Sequence, residues 1–164
     1  MSGPIGDNVA RASGVVAAAG GGGKVLQVVT SFTPDCNGDT QSGTYVAFGG
    51  ADATLDITPT ADTSKILLMA PMTGYAGHDV TETTFYRDST NVNGNGNTGI
   101  GIWTGPPGGN NSYGAGFTWL DDPATTSTIT YSMKHRSNPG GTSAHAYSNY
   151  NFMTTMTAME IDFS

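Results

Sequence analysis

Ala17-Ala-Ala-Gly-Gly-Gly-Gly23 runs directly into Lys24-Val-Leu-Gln-Val-Val-Thr-Ser31, and this junction divides the chain into two parts with different physics. Ahead of it the residues are small and the stretches are short, broken repeatedly by glycine. Behind it begins a series of brief apolar runs rich in Thr, Val and aromatics, each bounded by Gly, Asn, Asp or Pro, the pattern of strands separated by turns. The expected fold is all-β, a two-sheet sandwich or jelly roll of about 8–10 strands over residues 24–164. An extended N-terminal arm over residues 1–23, ending in a Gly linker, precedes it.

Working outward from Lys24, the runs Lys24 to Ser31 and Ser64 to Thr73 are almost continuously apolar. Thr44 to Phe48, Ala53 to Thr58 and Thr81 to Tyr86 are shorter and mixed. Thr98 to Thr104, Gly116 to Leu120, Thr125 to Arg136, Ser143 to Tyr150 and Thr154 to Phe163 complete the set of expected strands. In the last of these, Met156, Ala158 and Ile161 read as the core side and Thr155, Thr157 and Glu160 as the opposite side, with the register drifting at the end. Asp35-Cys-Asn-Gly-Asp39, Thr58-Pro-Thr-Ala-Asp62, Asp121-Asp-Pro123 and Asn138-Pro-Gly-Gly141 supply the turns. No helical period follows residue 24.

In the arm, Asp7 or Asn8 is suited to cap a short helical turn that Gly14 and Gly20 cut off. Such a segment cannot fold alone. Ile5, Val9, Val15 and Val16 need a surface to bury against, so the arm is expected to dock on another protein or thread into a neighbouring subunit.

Composition narrows the function classes. With 37% apolar residues and 24 glycines in 164 positions, the domain is lean, and oligomerisation is the expected route to further burial. Thirteen acidic against six basic residues give a net charge of −7, which argues against nucleic acid as a partner because no basic cluster is present to displace counterions. Val15 to Ala19 falls far short of the roughly 20 residues that cross a bilayer, so neither membrane insertion nor a signal peptide is expected. One cysteine, Cys36, excludes an intrachain disulfide.

Asn91 to Gly116 reads as a long loop containing one strand, with Trp103, Tyr113 and many Gly and Asn residues. Rigid rings among small amides suit a host surface glycan or the next subunit of a trimer, and Trp103 and Tyr113 are the candidate contacts. Other motifs fail on context. Gly94-Asn-Gly-Asn-Thr-Gly99 spells a dinucleotide fingerprint but leads into a strand-like segment rather than a helix. A hairpin over Asn138-Pro-Gly-Gly141 would set His135 opposite His145, yet two imidazoles need a third ligand to hold a metal. His78-Asp79 lacks an activated nucleophile, and Glu82 with Asp88, or Asp121 with Asp122, sit in ordinary turn surroundings. The expectation is therefore no enzyme, no catalytic residue, no cofactor and no metal.

Five segments, in order, carry a family resemblance: Gly23-Lys-Val-Leu-Gln-Val-Val29, Ser64-Lys-Ile-Leu67, Tyr86-Arg-Asp-Ser-Thr90, Asp122-Pro-Ala-Thr-Thr126 and Ala158-Met-Glu-Ile161. Together they resemble a β-rich virion domain of tailed bacteriophages, most similar to those of phages infecting marine bacteria, where it often ends a fibre protein. The resemblance covers roughly Gly23 to Asp162 and implies a β-sandwich knob, trimeric, displayed on the virion after assembly in the host cytoplasm, without cofactor or catalytic residue. A knob with a short arm and no shaft shifts the expectation from a tail fibre or receptor-binding, lectin-like module to a capsid decoration or head-fibre protein. The partners implied are two further copies of the chain and a capsid or tail protein of the same virion.

Overall fold

A computed structural model describes residues 23–34, 40, 42–47, 53–76, 80–93, 99–104, 111–137 and 154–163, with backbone alone at 72–76, 80–81, 101–104, 111–113 and 137. Its strands are β1 (Lys24–Thr33), β2 (Val46–Ala47), β3 (Thr54–Ile57), β4 (Lys65–Ala76), β5 (Val80–Arg87), β6 (Thr90–Asn91), β7 (Gly101–Thr104), β8 (Asn111–Asp121), β9 (Ile129–Ser137) and β10 (Thr154–Asp162). They form two antiparallel sheets. The first has the order β1-β10-β4-β8. In the second, β9 and β5 are central, β2 and β3 lie in succession along the far side of β9, and β6 and β7 lie along the far side of β5.

Counting β2 with β3 and β6 with β7 as single positions reduces the fold to eight positions. Position 1 then pairs with 8, 2 with 7, 3 with 6 and 4 with 5, as in a long hairpin rolled so that its two arms alternate between sheets. That is a jelly roll. The all-β, two-sheet expectation holds, with the jelly roll as its specific form.

The strand positions follow the apolar runs. Ile66 and Leu68 on β4, Phe85 on β5, Tyr131 and Met133 on β9 and Met156 on β10 are essentially inaccessible to solvent and meet between the sheets. Each such side chain contributes about 1.5–3 kcal/mol relative to exposure.

Three expectations need correction. The segment Asn91 to Gly116 is not one loop: its described parts are the end of β6, all of β7 and the first half of β8. The hairpin that would pair His135 with His145 does not form at His135, because β9 is already flanked on both sides, with Thr83 opposite His135 in β5 and Val46 opposite it in β2. Finally, β10 does not drift. Thr154, Met156, Ala158 and Glu160 all face inward, and Ile161 joins Met159 on the outer side.

Register gives the jelly roll two distinct poles. At one, Lys24 stands opposite Asp162, Lys65 opposite Ile161, Asp121 opposite Ile66, and Ile57 opposite Ile129. The turns 58–64 and 122–128 close this pole. At the other, Thr33 meets Thr154, Ala76 meets Asn111 and Val80 meets Thr104. The four connections 34–45, 77–79, 105–110 and 138–153 all leave from that opposite pole.

Candidate functional site, an apolar interaction face

Two buried carboxylates lock the first pole. Glu160 on β10 accepts hydrogen bonds from Gln27 Nε2 at 2.6 Å on one oxygen and from the Thr60 amide and hydroxyl, each at 2.7 Å, on the other. Burial raises its pKa, but these donors outweigh that and hold it at about 2. The ionised group thus ties β1, β10 and the β3–β4 turn together. Asp121 on β8 accepts from the Tyr131 hydroxyl at 2.6 Å and from Arg87 Nη1 at 2.9 Å, clasping one sheet to the other. Burial, then the hydrogen bond and charge of Asp121, push the Tyr131 phenol well above its ordinary range.

Against this rigid base the outer face of the first sheet is apolar. Register aligns Val28, Met159, Leu67 and Leu120 in one row across all four strands, and Val25, Ile161 and Lys65 in the next row toward the pole. Val25, Val28, Leu120 and Phe163 remain about half exposed, at 50%, 53%, 48% and 50%. Lys65 reaches Asp122 at the margin in an ion pair. One row further from the pole Thr30, Thr157 and Thr118 stand in line with Met69, and beyond them on the same face Phe32 is 59% exposed. Covering each half-exposed side chain would return about 1 kcal/mol. Exposed apolar side chains gathered on one sheet face are the kind of surface that contact sites are built from.

The outer face of the second sheet is chemically different. Glu82 and Arg136 stand opposite each other in register and are both buried, with Arg136 Nε and Nη2 donating to Glu82 Oε2 at 2.9 and 2.7 Å. The Gly99 amide and Tyr45 hydroxyl donate to the same oxygen, each at 3.2 Å. Arg136 lies over the Tyr45 ring and Lys134 over the Tyr86 ring, at 4.5 and 4.2 Å from the centroids. Burial chiefly raises the Tyr45 phenol to about 12, opposed by Arg136 and reinforced by Glu82. The two carboxylates considered as a glycosidase pair are far apart: Glu82 and Asp88 are six residues apart along β5 and its turn, about 20 Å at strand rise, well beyond the roughly 5–9.5 Å that glycoside hydrolysis uses. Asp121 and Asp122 serve the two ion pairs already described.

Ile5, Val9, Val15 and Val16 lie outside the described residues, as do Cys36, His78, Asp79 and His145. Trp103 is placed on β7 opposite Thr81, and Tyr113 on β8 opposite Gly74, so they belong to different sheets, both toward the loop-bearing pole. Sequence reading passed over the apolar face, although its signal was present. Continuous apolar runs in β1 and β4, rather than alternation, are what strands covered on both faces require.

No family model and no curated protein matches the chain. Among solved structures it is similar to the Gx strain of infectious bursal disease virus, at 12% identity and a TM-score of 0.32, over 85% of this chain and 41% of that one. The VP2 subviral particle of infectious bursal disease virus aligns at 12% identity and a TM-score of 0.29, over 84% of this chain and 40% of that one. The chain spans about two-fifths of the length of each.

Proposed function

We propose that this protein is a virion structural component, a decoration or head-fibre type knob held to the particle through its N-terminal arm. The observation that carries the reading is the division of labour between the two poles. The chain ahead of Lys24 leaves from the pole that Glu160 and Asp121 lock and that adjoins the apolar face. The strand ends that lead into four connections lie at the opposite pole, away from this end of β1. The ordered resemblance to bacteriophage knob domains agrees with such a layout.

In this reading the role is mechanical and the protein performs no catalysis. Each arm that docks adds surface buried only in the assembled particle and so stabilises the shell by linkage. Three copies about a threefold axis would multiply weak arms into one firm attachment. A receptor-binding tail module is the second reading, favoured by the placement of Trp103 and Tyr113 on strands leading to the displayed pole.

The test is cryo-electron microscopy of the intact particle, with the chain traced from its arm. Density on the capsid with residues 1–19 against the shell is the expected result. Density at the tail tip would favour the receptor reading, and absence of the protein from purified particles by mass spectrometry would overturn both.

A further inference from the structure

We infer that the outer face of the β1-β10-β4-β8 sheet is where copies of this chain meet, with Phe32 of one copy seated over Gly116 of the next. Phe117 and Asp121 are buried on the inner side of β8, which puts Gly114, Gly116, Thr118 and Leu120 on its outer side. A Cβ added at Gly114 or Gly116 would meet nothing within 4 Å, neither glycine has a left-handed φ, and the pairing with β4 runs through both without a bulge. Glycine weakens a strand, and nothing among the described residues requires it at these two places. The remaining use of a strand glycine is close approach from outside.

The opposite edge of the same face carries the matching protrusion. Phe32, at 59%, is the most exposed large apolar side chain among the described residues. It lies two residues beyond Thr30 on β1, as Gly116 lies two residues beyond Thr118 on β8. Thr30 and Thr118 share a row, so Phe32 and Gly116 stand at the same height on edges about 14 Å apart. A closed ring of copies about an axis running along the strands, in front of the face, brings β1 of one copy to β8 of the next with that height unchanged. This holds for a pair and for the threefold set considered above. Phe32 then meets Gly116, and Val28 meets Leu120. A large ring against bare backbone, beside two mid-sized side chains, is the alternation that lets two sheets close to about 10 Å.

Charge and area favour a second copy as the occupant. In the rows from Val25 to Phe32 the charged side chains are Lys65 and, at the margin, Asp122, which pair with each other. A chain of net charge −7 therefore meets itself here without like-charge repulsion. Four strands about 4.8 Å apart and seven residues at about 3.4 Å rise give a flat area of about 450 Å² per copy, so two copies bury on the order of 1,000 Å², where specific interfaces begin. The virion reading and this contact stand or fall separately.

The experiment is sedimentation velocity on the full chain at micromolar concentrations, where an oligomer is expected. Gly116→Val should keep the far-ultraviolet circular dichroism of the folded sheet, because the space above it is open, and weaken association about tenfold or more. Phe32→Ala should weaken it similarly, while Ser127→Val, in a turn at the closed pole, should leave it unchanged. Gly116→Val combined with Phe32→Ala should lose less than the two losses together, since the valine enters space that the ring has left. A monomeric parent, an oligomer indifferent to both substitutions, or losses that add strictly would each overturn the contact. Should Gly116→Val fail to fold, Phe32→Ala decides, because its side chain is already exposed in the single chain.

Discussion

Replacing Glu160 by Gln tests whether the arm-bearing pole is held by a buried charge. The carboxylate is fully buried and accepts three hydrogen bonds of 2.6–2.7 Å. In Glu160→Gln the amide oxygen can still face the Thr60 amide and hydroxyl, but the amide nitrogen then meets Gln27 Nε2, donor against donor. Gln27 cannot escape by flipping its own amide, because the same Nε2 donates to the Thr58 carbonyl at 2.7 Å, and a flip would set two oxygens together. One bond to a charged acceptor is lost and two are weakened, which costs about 2–3 kcal/mol, since bonds to charged groups contribute roughly 1.5–3 kcal/mol each. For a chain of this length the melting temperature should fall by about 5–10 °C. The pH dependence has a definite sign. The pKa falls from an ordinary 4.5 to about 2 in the folded protein, so the stabilisation is fully present above about pH 4.5 and drains away as pH falls toward 2. Urea unfolding of both proteins at pH 7, 4.5, 3 and 2 should therefore show a gap that is widest at neutral pH and narrows in acid. A variant as stable as the parent at pH 7, or a gap that stays constant with pH, would refute the reasoning.

Further substitutions probe the other supports of the fold. Ala124 holds a φ of 49°, a left-handed conformation that costs a Cβ-bearing residue about 1–2 kcal/mol, so Ala124→Gly should raise the melting temperature by about 2 °C after the added chain entropy is subtracted, as calorimetry can read. At Gly99 a Cβ would lie 2.6 Å from the Thr83 carbonyl oxygen and 2.9 Å from its nitrogen, both backbone atoms, so Gly99→Ala should destabilise by about 1–3 kcal/mol in urea. Arg136→Met strands the buried Glu82 and should cost about 3–5 kcal/mol, while adding Glu82→Gln should recover much of that in a double-mutant cycle. A cycle with no coupling would show the pair to be energetically independent despite its contact.

Much of the fold was legible because β strands advertise themselves through composition and punctuation. β1, β3, β4, β5 and β10 fall where apolar runs end at Gly, Asp or Pro. Position along the chain carries no comparable mark of partnership. His135 looked like half of a hairpin because Asn138-Pro-Gly-Gly141 is a good turn, but β9 is an inner strand whose two sides are taken by β5 and by β2 with β3. Glu160 was read outward for an equally physical reason: a carboxylate at the core side of a strand is improbable until its donors are known. Those donors come from Gln27, 133 residues away, and Thr60, 100 residues away. The outer face was missed because apolar residues in a strand are ordinarily credited to the core, and register is needed to show that Val28, Met159, Leu67 and Leu120 share the side away from it.

The two sheets divide the contact chemistry of the domain. Where the second sheet buries Glu82 and Arg136 on its outer side, the ion pair sets partner geometry within the chain and gives a second protein little apolar area to bind. Where the first sheet leaves Val25, Val28, Leu120 and Phe163 half exposed, apolar surface remains to be covered, and it lies beside the strand end from which the arm departs. Buried carboxylates hold that same pole together, because Glu160 fastens the edge strand β1 to β10 and to the β3–β4 turn, and Asp121 fastens β8 to β5 and β9.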